Sequence, residues 1–353
     1  MNNILKQLTQ IPSACGFEYD VIRYLRDRLK DKSDHWEIDG LGNLIVRMDG
    51  GAPGPVLVAS AHTDEVGFIV KKIEPNGHIR FEKVGGHDNR VLPIETVDIC
   101  TRNGKVPGLI GFLSCHMMKF DKVDHVRSHY ELYIDVGAKD KASAEAMGIE
   151  VGDAIVWGSD YKEFGNNRAM GHGFDDKAGC AVLVKLIEET DFSKMKGTFY
   201  AVFSVQEEVG LRGARTAAHA IKADVALSID TTAATDTFES MMDQTLCLGK
   251  GPGIKAMDFS LMASVAVRRK LQQVAKENNI PYQIEIFTGI GTDAGELHQG
   301  HGGVPTGSIS IPSRNAHTAL EVIDLEDLEN SYRLLQAFVL SMEDKHEFDF
   351  VKQ

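Results

Sequence analysis

Two adjacent carboxylates, Glu207 and Glu208, follow the apolar run Phe199 to Val205, which is rich in β-branched and aromatic residues and closed by a glycine-bearing turn. Such a run reads as a strand buried on both faces, so the pair is delivered to a strand end rather than to open solvent. Alone, an adjacent Glu pair reads as a charged loop, since Glu is mostly exposed. Its company changes that reading. His62 follows the apolar run Val56 to Ala59, Asp230 follows Val225 to Ile229, His317 comes after Ile309 to Ile311, and Asp175 opens a helix. Taken together, His62, Glu208, Asp230 and His317 lie at or just beyond the carboxyl ends of strands, where open α/β sheets form their ligand sites. Two imidazoles and three carboxylates without cysteine suit divalent ions such as Zn²⁺, Mn²⁺ or Co²⁺. Two metals about 3.5–4 Å apart need a ligand that spans both, which a carboxylate such as Asp175 can do and a histidine cannot. Glu207 is then free to take a proton from water held at the metals. Asp64, two residues after His62, is placed to accept that ring's other N–H. The bland reading of Asp64 is a surface salt bridge.

Positioning these groups requires alternating strands and helices. Glu18 to Lys30 places Val21, Ile22, Leu25 and Leu29 on one side, the pattern of an amphipathic surface helix. Trp36 to Asp39 and Asn43 to Met48 flank Gly40-Leu41-Gly42 as paired strands. Gly171 to Gly179 leads into an apolar helix through about Ile187, and further elements follow at Ala214 to Ile221 (helix) and Tyr282 to Phe287 (strand). Leu325, Leu328, Tyr332, Leu335, Val339 and Met342 step by three and four behind Asp324, which is placed to cap a final helix. Between about Phe68 and Gly165 the pattern changes. Asn76-Gly77 and Asn103-Gly104 sit between alternating runs, and type I′ hairpin turns with positive φ at both central residues are expected there. Short strands at Glu131 to Val136 and Ala154 to Trp157, with a helix at Ala142 to Met147, complete an antiparallel β module. The expected fold is therefore α/β: a mixed-sheet, three-layer α/β/α domain (1–67 and 166–353) interrupted by a β-rich, barrel-like insertion (68–165).

Composition narrows the classes. At 353 residues, with 43% hydrophobic and 25% charged, the chain reads as soluble and globular. A net charge of −13 argues against nucleic acid or an anionic membrane surface as partner. Cysteines 15, 100, 115, 180 and 247 are scattered and odd in number, so neither a disulfide framework nor a zinc finger is indicated. The N-terminus lacks a basic region plus apolar core, and no apolar run is long enough to span a bilayer, which places the chain in the cytoplasm.

Several motifs together resemble the glutamyl/tetrahedral aminopeptidase family of co-catalytic metallopeptidases, over essentially the whole chain. They are Ala61 to Gly67 (AHTDEVG), Gly85-Gly86 with Asp88 and Arg90 to Leu92, Leu132 to Gly137, Asp175 to Cys180 (DDKAGC), Val205 to Ala214, Gly291 to Gly295 (GTDAG), and Gly303 to Gly307 through His317. The resemblance implies that His62, Asp175 and Asp230 hold one metal, that Asp175, Glu208 and His317 hold a second, and that Glu207 is the general acid/base. Zinc is the first expectation, with cobalt or manganese as alternatives. It further implies removal of N-terminal residues from peptides with a free N-terminus, and a β module that supports dimers building toward a hollow twelve-subunit tetrahedron. Three departures bear on substrate preference and assembly: Lys177 stands where arginine is usual, Phe174 where an aliphatic residue is usual, and Pro93 to Thr96 replaces a Gly-Gln pattern. A deacetylase or carboxypeptidase on the same site, or a non-catalytic assembly protein keeping the fold, are the alternatives.

Other features take bland readings. Cys115, His116, His125 and His129 fit no compact zinc spacing. Gly249 to Gly253 and the glycines at 300 to 307 lack a terminal Gly-Lys-Ser/Thr and read as turns lining the cleft. Glu285, Asp293, Glu296, His298 and His301 lie near the expected site edge as candidates for substrate contact, among which the sequence does not choose.

Overall fold

A computed structural model describes residues 1–122, 124–239 and 241–351. Four strands, Lys196–Ser204, Ala52–His62, Val225–Ala233 and Thr306–Arg314, lie side by side and parallel at the centre of an eleven-stranded mixed sheet. Their sequences are nearly continuous apolar or small residues, as burial on both faces demands. Antiparallel strands complete the sheet: His35–Ile38 and Leu44–Asp49 at one edge, Glu321–Asp324, Arg168–Gly171 and Lys162–Phe164 at the other. Gly253–Met257 also pairs with Thr306–Arg314 and carries Gln283–Ile286 outside it.

Alternation along the strands fills two apolar layers. On one face Leu57, Ala59 and Ala61 join a large cluster with helices Phe174–Glu189, Leu325–Leu340, Tyr19–Leu29 and Asn2–Thr9. On the other, Val58, Val202 and Ala226 pack with Ala217, Ala218 and Leu297 of helices Arg212–Ala220 and Ala294–Leu297. This is the expected three-layer arrangement. Phe174–Glu189 is apolar almost all round because it lies under other helices as well as on the sheet.

Six antiparallel strands between Gly67 and Trp157 close into a barrel. Phe68 meets Phe81 and Trp157 edge to face in its core, with ring centroids 5.1 and 5.0 Å apart.

Local details depart from the sequence reading. Only Gly77 (φ 87°) and Gly104 (φ 121°) have positive φ in the two Asn-Gly turns, so neither is type I′. Ile73 pairs with Ile79, which places Asn76-Gly77 within a longer loop, whereas Thr101 pairs with Gly104, making Arg102-Asn103 the loop. The strand carrying Asp230 continues through Ala233, and the strand before His317 spans Thr306–Arg314 rather than three residues. Asp175 and Asp176 have non-helical φ/ψ, so the regular helix begins after them. Among the described residues no helix is long and apolar enough to cross a membrane.

Candidate metal centre

Parallel register brings the candidate residues together. His62 ends its strand paired with Ser204, so the chain beyond Ser204 passes directly beside it. On its other side Ser60 pairs with Ser228, and extending that register sets Asp230 level with His62. Asp175 enters from the non-helical first turn of Phe174–Glu189, and His317 from the loop between Thr306–Arg314 and Glu321–Asp324.

The result is two groups of three, His62/Asp175/Asp230 and Asp175/Glu208/His317, whose donor atoms lie within 4.8 Å of one another in each group. Asp175 belongs to both: its Oδ1 is 3.1 Å from His62 Nε2 and its Oδ2 is 3.3 Å from His317 Nε2. Asp230 Oδ1 stands 3.7 Å from His62 Nε2, and Glu208 Oε1 stands 3.3 Å from His317 Nε2. Glu207 lies outside both groups, its Oε2 4.0 Å from His62 Nε2. All five expected ligands and the expected base therefore meet at one place. The Cys115/His116/His125/His129 run does not join them: His125 pairs with Asp121 and Glu131, and His129 with Glu82.

Buried neighbours hold these side chains. His62 Nδ1 lies 3.0 Å from the Asp64 carbonyl oxygen and 3.6 Å from the Asp64 carboxylate, so the nearer acceptor is backbone, not the carboxylate expected from sequence. That carboxylate instead accepts the backbone N–H groups of Glu207 (3.0 Å) and Glu208 (3.1 Å) and the Cys15 thiol (3.1 Å). Two supports escaped the sequence reading. Glu321 accepts the backbone N–H groups of Asp175 (3.0 Å) and His317 (2.9 Å), and Asp176 accepts that of His62. A Glu opening a short buried strand, and a second Asp beside Asp175, were the available signals. Nearby, Lys177 donates to Glu65 (2.7 Å) and to the Ile11 carbonyl, and His172 pairs with the other Glu65 oxygen, so the unusual lysine is fully buried and paired. Of the five residues expected near the site edge, Asp293 is buried under the sheet, accepting from Ser60 and Ser204, and Glu296 pairs with Arg215. Gly249 and Gly251 donate to Asp327, away from the two groups of three.

Electrostatics mark the cluster as short of positive charge. Burial pushes the Glu208 carboxyl up to about 8 and that of Asp230 up to about 6, and lifts Glu207 well above the usual range. Burial alone would lower both imidazoles, yet the charge of Glu207 with bonds to Asp175 and Asp230 raises His62, and Glu208 with Asp175 raises His317 to about 10. Asp175, despite burial, is held low by hydrogen bonds from His317 and His62. Four carboxylates face two imidazoles, and buried Glu208 Oε1 has no hydrogen-bond partner. Divalent cations would satisfy both the charge and the unused lone pairs.

Comparison with known proteins agrees with this geometry. The profile described as M42 glutamyl aminopeptidase matches residues 42–334. A putative aminopeptidase of Acetivibrio thermocellus is 36% identical over 336 residues, covering 95% of this chain and 97% of the relative. An aminopeptidase from the archaeon Desulfurococcus kamchatkensis superposes with a TM-score of 0.94 at 36% identity, covering 99% of this chain and 97% of that one. The Pyrococcus horikoshii TET1 peptidase, which can assemble into a tetrahedron or a large octahedral shell, superposes with a TM-score of 0.87 at 32% identity, covering 96% of this chain and 99% of its own. The chain belongs to the M42 glutamyl aminopeptidase family.

Proposed function

We propose that this chain is a dinuclear metallo-aminopeptidase that hydrolyses the N-terminal residue from peptides. The observation that carries it is the sharing of Asp175 by two groups of three donors, with Glu207 beside them and in neither. His62, Asp175 and Asp230 would hold one cation and Asp175, Glu208 and His317 the other, zinc first, with cobalt or manganese as alternatives. Two divalent cations held by these residues would supply polarisation of the scissile carbonyl and a lowered pKa for the attacking water. Glu207 takes the proton released as the water oxygen attacks the carbonyl carbon. It then passes that proton to the departing amine nitrogen as the C–N bond breaks. Asp64 keeps Glu207 aimed by accepting its backbone N–H. The acidic surroundings draw the substrate's free α-ammonium group, which distinguishes this reading from a deacetylase or carboxypeptidase.

Assembly belongs to the same reading. The insertion is read as residues 68–165 and the remainder as the catalytic domain, except that Lys162–Phe164, inside those bounds, pairs into the large sheet rather than the barrel. Leu109, Phe112, Met117, Met118 and Phe120 are exposed on the insertion and offer an apolar surface to a second copy. Dimers formed there build toward a tetrahedral dodecamer, a reading supported by the shells of the TET1 peptidase. The scattered, unpaired cysteines support a cytoplasmic setting.

The test is hydrolysis of free and N-acetylated forms of one peptide series by zinc-reconstituted protein, with and without chelator. Release of the N-terminal residue from the free peptides alone, abolished by chelation, is expected. Cleavage of the acetylated series, or activity indifferent to chelation, would reject the reading.

A further inference from the structure

The two groups of donors are supported differently. His62, only 2% exposed, donates its backbone N–H to Asp176, and its Nδ1 and Nε2 meet the Asp64 carbonyl oxygen and the Asp175 carboxylate. The side chain of His317 is 35% exposed and its residue sits at φ 63°, a left-handed conformation that a non-glycine residue keeps only where its surroundings impose it. Glu321 holds its backbone. What holds its ring is the barrel: the Gly86 carbonyl oxygen lies 2.9 Å from His317 Nδ1, leaving Nε2 turned toward Asp175 and Glu208.

The turn that supplies this carbonyl is itself built to approach. Gly85 has φ 82°, and a Cβ there would come within 2.7 Å of Val66 and 3.5 Å of the Glu208 Cβ, so only glycine passes at this distance. Next to it, His87 anchors the turn in the barrel. Its Nε2 is 2.8 Å from the Gly67 carbonyl oxygen, and its ring stacks on Phe68 at 4.6 Å and meets Trp157 edge on. A second grip lies two residues beyond His317. Ala319 is buried in the barrel's own apolar cluster, and the Ser159 hydroxyl donates to the Ala319 carbonyl.

We propose that the barrel is a working part of the second metal position: the Gly85–His87 turn and the seat of Ala319 clamp the His317 loop, so the Asp175/Glu208/His317 group needs the barrel packed against it, whereas the His62/Asp175/Asp230 group does not. His87 and Ser159 are positioning residues for His317. This rests on the dinuclear reading above and adds that the two positions are unequally held, with the weaker one answering to the state of the barrel.

The test is zinc binding to metal-free protein, measured by chelator competition and by metal content after buffer exchange, for wild type, His87→Ala and Ser159→Ala, each also made with His317→Ala. Wild type takes up two zinc ions per chain. Each single variant keeps one at wild-type affinity and binds the other about 10–100-fold more weakly, the usual cost of losing a ligand's outer partner. With His317→Ala already present, neither variant weakens the remaining ion further. His87→Ala leaves a space in the barrel core, so Ser159→Ala, which removes a single hydroxyl, decides the matter if the former fails to fold. Two zinc ions bound with unchanged affinity by Ser159→Ala, or equal weakening of both positions, overturns the inference. A wild type that binds fewer than two overturns the dinuclear reading itself, and the inference falls with it.

Discussion

Glu207 and Glu208 are chemically identical neighbours that the fold separates. Gln206 before them is left-handed (φ 56°), and both of their N–H groups end on the two oxygens of Asp64, which fixes the backbone while the side chains diverge. Glu208 reaches His317, and Glu207 stays near His62. Glu207→Gln should keep the zinc content of the protein and lose roughly 10²–10⁴-fold in kcat, the contribution of a general base. Metal analysis beside steady-state kinetics checks it, and a fully active Gln variant refutes the role. His62→Ala should instead lower the metal content, and unchanged stoichiometry refutes its place as a ligand. The identities of these residues were legible in the sequence because imidazoles and carboxylates recurred at strand ends. The partners of Asp64 were not, since backbone N–H groups brought close by a turn leave no mark in residue type.

Helix Leu325–Leu340 shows how an element is tied to the rest. Its sequence pattern and Asp324 cap are as expected, with Asp324 accepting the Glu326 N–H. One turn in, Asp327 accepts the N–H groups of Gly249 and Gly251. Burial pushes its carboxyl up to about 6 from an ordinary 3.8. Between those values the folded chain holds a proton that the unfolded chain has lost, so this group's contribution to stability falls as pH rises through the window and is level above it. Urea unfolding across the same range should show a steeper decline in wild type than in Asp327→Asn, the difference being this group's share, and parallel curves for the two proteins would contradict it. Elements with long apolar periodicity were legible. Helix Val265–Glu277 and strand Gly253–Met257 were not, although Val267, Leu271, Val274 and Ala275 carry a helical stripe. Glycine and proline around residues 249–253 masked a strand whose place is given by pairing with Thr306–Arg314.

At the scale of the whole molecule, the exposed apolar residues of the insertion are where assembly can be tested. Met118→Glu with Phe120→Glu puts charge on two of the exposed apolar side chains of the insertion. Sedimentation velocity should show wild type as a large assembly and the double variant as smaller species with unchanged circular dichroism. An unshifted distribution would remove this surface from the assembly. The sequence by itself determined the α/β class, the β-rich insertion and the set of side chains able to bind metal, because periodicity and residue chemistry are local properties. Only the tertiary structure decided that Glu321 ties the backbones of Asp175 and His317 together, that Asp64 serves the Glu207-Glu208 turn, and that the barrel reaches across to His317. Those relations depend on strand register and on packing between segments far apart in the chain, which no short stretch of residues encodes.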